Sequence, residues 1–281
     1  MEKINENIFY LYNKWKEGYV RKETAFEEKI KPMMEWAKEA FKEVDFNKMD
    51  FDPDGITVNG NLSISAAELT GEIPYPFAEC TGQFTIYPTT HIKSLKNCPK
   101  HVKTFDCSVC DLIKSLEGAP KKVDNLFDCK KCSSLLSLEG APEEVGYFRC
   151  NECNNLPSLK GAPKKVNNDF ECRWCKNLKS LKGAPENVGG DFRCNGCRFI
   201  QNLKGAPENV GGDFDCTNCF YLASLEGAPK EVGGDFKCYD CDFLSSIEDL
   251  PKEIGGDLYI DKKFEGKIPE DVIVKGKIEW Q

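Results

Sequence analysis

Histidine is nearly missing from this chain: of 281 residues only His91 and His101 carry an imidazole. That removes most of the usual supply of neutral-pH general bases and nitrogen metal ligands. Both lie in irregular surroundings and read as solvated or turn residues. No P-loop, dinucleotide fingerprint or GxSxG elbow is present, so the common phosphate-cradling and nucleophile signatures are missing as well. No stretch approaches eighteen apolar residues, which excludes a membrane-spanning helix. The opening MEKINENIFYLYNKWKEGYV has neither the apolar run nor the small-residue cleavage site of a signal peptide. Positive charge is in deficit, with 38 Lys and Arg against 46 Asp and Glu, so phosphate backbones are not the expected partner. The expectation is a cytoplasmic, non-enzymatic protein with no cofactor, no membrane contact and no nucleic-acid partner.

Cysteine, by contrast, is abundant. Sixteen occur, fourteen of them in seven CxxC pairs running from Cys107–Cys110 to Cys238–Cys241. The pairs belong to an internal repeat. Phe105, Phe127, Phe148, Phe170, Phe192, Phe214 and Phe236 each stand two residues before a first cysteine, at steps of 22, 21, 22, 22, 22 and 22. The same stepping reaches Phe84 and Leu62 upstream, and Leu258 and Ile278 downstream. About eleven rungs result, filling the chain from roughly residue 55 onward.

The slot of the first cysteine decides what these pairs are for. In the outer rungs it holds Ile64, Ile86, Ile260 and Trp280. A slot shared by Cys, Ile and Trp demands burial, and its spacing of two from Phe is that of a strand with one buried face. Leu or Ile recurs three and six residues after the second cysteine (Leu178 and Leu181, for example). Gly-Ala-Pro follows, with Val or Ile three residues beyond the proline. The two cysteines outside the pairs obey the same frame, Cys80 in a Val slot and Cys98 in an Ala slot.

The frame F-x-C-x-x-C-x-x-L-x-S-L-x-G-A-P-x-x-V resembles the leucine-rich repeat, with Val, Phe and the first Cys in the strand-flanking Leu slots and the second Cys in the Asn/Cys slot. The likeness covers about four-fifths of the chain. It implies a repeat solenoid: a right-handed coil with one short parallel strand per turn on a concave β-sheet and a tight irregular return behind it. It also implies that Cys110, Cys132, Cys153, Cys175, Cys197, Cys219 and Cys241 form an internal ladder satisfying backbone groups after the strand. Ala67, Thr89 and Lys263 hold that slot in outer rungs, where the ladder should fray. Short repeats of this type are familiar from bacterial and phage proteins, which implies an effector or an inhibitor of a host defence protein.

Two domains are expected, an α-helical N-terminal cap over 1–50 and the solenoid over 51–281. Ile4, Ile8, Leu11, Tyr12 and Trp15 follow a helical period; Thr24 with Glu27 resembles a capping box. Met33, Trp36, Ala37, Ala40, Phe41 and Val44 mark a second helical face. Such a cap would cover the first apolar rung, which a solenoid otherwise exposes. The Trp280 rung and its polar end read as the opposite cap.

A metalloprotein using the CxxC pairs for zinc or an iron–sulfur centre is the first alternative. Tetrahedral zinc needs four thiolates about 2.3 Å from the ion, whereas stacked rungs would space these pairs at roughly 4.8 Å. Many buried thiolates would also repel one another. Neutral cysteine, a small hydrophobe, suits a tight coil interior. A nucleic-acid-binding module is the second alternative, disfavoured by charge.

Function should therefore reside on the surface, in binding another protein with a basic or apolar contact patch. Asp169, Asp191, Asp213, Asp235 and Asp257 form a column just before the core residue of successive rungs. Either they hold the Gly-Gly turn in place or they offer carboxylates to basic side chains. With the neighbouring columns, the concave face carries ten acids against Lys130, Arg149, Arg173, Arg193 and Lys237. Phe199, Tyr221 and Phe243 are successive aromatics two residues beyond a second cysteine, with Phe220 adjacent, Trp174 nearby, and Tyr239 and Tyr259 on the strands. Aromatic clusters on a polar surface are typical interface anchors; the competing role is to fold over the edge of the coil and pack on its core.

Overall fold

The structure is a computed structural model that describes residues 26–41, 45–64, 71–87 and 91–281. The first expected helix, Thr24 of the capping box, Val44, Ala67 and Thr89 lie outside the described residues.

Parallel strands from Leu62–Ile64 to Ile278–Trp280 form a single eleven-stranded sheet in chain order. Its register is that of the repeat: Phe84 faces Phe105, Phe105 faces Phe127, and the series continues through Phe236 to Leu258 and Ile278. The chain is thus a β-solenoid of 22-residue coils. Identical side chains at one register in parallel strands must lie over one another. From Phe127 to Phe236 the phenyl rings accordingly stack with centroids 5.3–5.4 Å apart. Each of these rings is fully buried, which stabilises the coil by ~1.5–3 kcal/mol apiece.

Each turn carries more than the one strand expected. The Val positions form their own two-residue strands, seven of which, from Glu144–Val145 to Ile273–Val274, make a second parallel sheet. His101–Val102 and Lys122–Val123 form a separate pair. Between Val and Phe the chain turns a corner at Gly-Gly-Asp, and the direction of hydrogen bonding reverses there. Gly212 N–H donates back to Gly190 O, whereas Phe214 N–H donates forward to Asp235 O. The Val therefore belongs to a different sheet from Phe and Cys.

All sixteen cysteines are described and buried, and none is in a disulfide. The second cysteine of a pair donates its S–H to the carbonyl of the first cysteine one coil earlier. Cys132, Cys153, Cys175, Cys197, Cys219 and Cys241 do so at 3.0–3.5 Å. The ladder implied by the leucine-rich repeat resemblance is thus made of thiols. Lys263, which takes this slot in the next rung, reaches Cys241 O instead, so the series breaks where the sequence changes. Burial pushes the thiols of Cys172 and Cys216 up to about 12, keeping both protonated at neutral pH. Among the described residues, no group of three or more His, Cys, Asp or Glu side chains is placed to hold a metal ion.

At the N-terminal end, helix α1 (Lys31–Ala40) follows a π-helical turn, Phe26–Ile30. Met33, Ala37 and Phe41 join the solenoid core. Trp36 packs against Tyr75 and Phe77 with centroids 5.7 and 6.3 Å away. A hairpin of Met49–Asp52 and Gly55–Val58 continues this packing and spans residue 50. At the other end Trp280 packs on the core, while Ile273 and Ile278 are exposed. No helix among the described residues is long and apolar enough to cross a membrane.

Candidate functional site

The aspartate column is built into the corner. In the rungs that carry the column, the N–H of the residue before the core position is taken by the Asp side chain of the previous rung, whereas in an earlier rung Tyr147 N–H still meets a carbonyl, Asn125 O, at 2.7 Å. Asp169 Oδ1 takes Asp191 N–H at 3.0 Å, Asp191 takes Asp213, Asp213 takes Asp235, Asp235 takes Asp257, and Asp257 takes Lys277 at 2.7 Å. Asn61 does the same for Gln83 at 2.9 Å, so the role needs an acceptor, not a charge. The carboxylates lie so close over the next corner that a Cβ on Gly190, Gly212, Gly234 or Gly256 would fall 2.1–2.3 Å from Oδ1. This is why the repeat keeps its second glycine.

The outer carboxylate oxygens are also engaged. Arg193 bridges Asp169 and Asp191, and Lys237 bridges Asp213 and Asp235 at 2.7 and 3.1 Å. Tyr259 Oη donates to Asp257 at 3.4 Å. Glu171, only 4% exposed, lies among Arg149, Arg173 and Arg193. Burial opposes ionisation of Glu171, but the Asn151 amide and the arginines outweigh it and hold its pKa below the ordinary value. Burial likewise works against the Asp213 carboxylate, yet Lys237 and the Asp235 N–H pull it down overall. The carboxylate column thus serves the fold, with cations interleaved between its members.

The aromatic residues are arranged differently. Phe199 and Tyr221 stack with centroids 5.5 Å apart, Phe243 lies 5.2 Å from Tyr221, and Phe220 touches both Tyr221 and Phe243. The spacing follows from the repeat, since residues two beyond the second cysteine recur on adjacent coils. These rings do not fold away into the core: Phe199, Tyr221 and Phe243 are 44%, 40% and 54% exposed. Trp174 is half exposed too. Tyr239 and Tyr259 are half-buried, and among the described residues no ring contact joins them to the stack. Tyr259 faces Lys237 instead, 5.6 Å from ring to ammonium.

Beside the stack, Trp174 and Phe220 border an open depression completed by Arg198, Asn218, Asp240 and Asp242. No motif in the sequence marks those last four as site residues. Their signal was the CxxC frame itself, because the residues flanking each second cysteine recur in columns next to the aromatic one. His101 is fixed away from this surface, between Asp124 at 2.9 Å and Glu79 at 3.6 Å. Comparison with family models, with curated proteins and with solved structures returns no match.

Proposed function

We propose that this chain is a non-catalytic scaffold that binds another protein through the aromatic edge of its solenoid. The observation that supports the reading most is the register-locked stack of Phe199, Tyr221 and Phe243, held exposed with Phe220 and Trp174 beside it. Apolar rings at three successive coils expose a contiguous patch that water covers poorly, the usual feature of a contact surface. The stacked coils fix the rings before any partner arrives, so little ordering entropy opposes binding. The aspartate column, though it braces the fold, sets five carboxylates against Arg193 and Lys237, and that net negative charge favours a basic partner.

The coil belongs, in this reading, to the leucine-rich repeat class. The parallel strands and the thiol ladder support that assignment, while the separate Val sheet is a departure from it. A reducing, cytoplasmic setting fits a fold that uses its cysteines as S–H donors. Binding without turnover would suit an effector or an inhibitor, which acts by occupying its target.

The test uses the tagged full chain and its F199A/Y221A/F243A variant as baits. A protein captured by the first should be identified, purified and measured against both. At least tenfold weaker binding to the variant, with its melting temperature unchanged, is expected. Equal affinity for the two would remove this surface from the function.

A further inference from the structure

The depression beside the stack is open to solvent and has a volume of about 280 Å³. One large side chain fits within it. Trp174, Asn218 and Asp240 each precede a second cysteine and share a left-handed backbone, with φ of 58°, 57° and 54°. Gly196 holds the same position between Trp174 and Asn218, also at positive φ, 74°. A Cβ there would fall 2.3 Å from Trp174 Cε3, so the missing side chain lets the indole lie flat across that coil.

The charges are unevenly answered. Asp261, whose Oδ1 accepts the Asp240 N–H at 3.1 Å, is paired with Lys263, whereas among the described residues Asp240 and Asp242 take up no ion pair. Both are exposed. Arg198, the one cation bordering the depression, stacks on Phe220 at 5.3 Å. That ring therefore already accepts a guanidinium. Two carboxylates and one guanidinium leave a single negative charge, which one further cation would neutralise.

We infer that the depression receives one arginine side chain of the partner protein, its guanidinium laid on Trp174 and its N–H groups directed at Asp240 and Asp242. This rests on the protein-binding reading above. Arginine fits better than lysine because its planar, weakly hydrated fork stacks on an aromatic face and pairs with carboxylates at once.

The test follows the Trp174 indole N–H by NMR in the full chain, titrated with N-acetyl-arginine methylamide. A saturable shift is expected. It should be at least fivefold weaker in D240N/D242N, and at least fivefold weaker with the citrulline or lysine analogue. Asn tolerates the left-handed backbone of Asp240, so the double variant keeps the fold. No saturable shift, or an equal response to citrulline or lysine, would overturn the assignment. With the captured partner, D240N/D242N should weaken binding at least fivefold. If only F199A/Y221A/F243A does so, the arginine site is wrong and the aromatic edge stands. If neither variant weakens binding, the edge itself is wrong, whatever the NMR titration shows.

Discussion

The Cys197 thiol donates to the carbonyl oxygen of Cys172, one coil earlier, at 3.0 Å. The two cysteines of a pair therefore have different duties. Cys172 fills core volume in a slot that Ile64, Ile86 and Ile260 also occupy, whereas Cys197 supplies a donor to a buried carbonyl. Cys197→Val should lower stability by ~1–3 kcal/mol, the usual loss when a buried acceptor is left unpaired. Cys172→Val, which removes no donor to that carbonyl, should be milder. Paired thermal melts check the order; equal losses would mean that the ladder bond contributes little.

Thiol reactivity should follow from burial. With every cysteine buried and Cys172 and Cys216 pushed up to about 12, native protein should resist iodoacetamide at neutral pH. Label should enter only on unfolding. A chelator should leave the melting temperature unmoved. A drop after chelation would instead favour a metal-holding role for the pairs.

The corner predicts a sharp glycine requirement. Gly212→Ala would drive a methyl to 2.1 Å from Asp191 Oδ1, and crowding of this kind costs ~1–3 kcal/mol. Asp213→Asn should be much milder, since Asn61 already performs the same acceptor role in an outer rung. Urea unfolding of the two variants measures the difference.

The interleaved charges predict acid sensitivity. Asp213 and Glu171 titrate below their ordinary values in the folded chain. A depressed folded pKa contributes stability that is fully present above the unfolded value, about 4, and lost as pH falls through the folded one. The melting temperature should therefore hold steady near pH 6 and fall below about 4. In Asp213→Asn that fall should be shallower. An unchanged acid slope would show that the Lys237 pair does not couple to folding.

Val109 sits at φ 60°, a left-handed backbone that a β-branched residue adopts only under strain. Gly196, Asn218 and Asp240 hold the same position in later coils. Val109→Asn should raise stability by about 1 kcal/mol, visible as a higher melting temperature.

Much of this molecule is readable as text. The steps of 22 residues place the strands of the eleven-stranded sheet at the right Phe, Leu and Ile positions, because a coil must return to the same register for identical side chains to stack. The exchange of Cys107 for Ile86 or Ile260 shows burial without coordinates. Less visible was the corner: Val-Gly-Gly-Asp-Phe keeps an even spacing that one continuous strand would satisfy equally well. Only the reversal of hydrogen bonding between Gly212 and Phe214 separates two sheets.

The sequence by itself determined the coil, its period and the identity of its core, since those depend on a repeating pattern of burial. The tertiary structure decided what the surface residues do, because that depends on which groups lie within reach across coils. It committed the aspartates to N–H groups, Arg193, Lys237 and Tyr259, left Phe199, Tyr221 and Phe243 in solvent, and set Trp174, Asp240 and Asp242 around one depression that spans several coils. Distances between neighbouring coils, which no linear spacing encodes, separate a carboxylate that braces the fold from one left without an ion-pair partner.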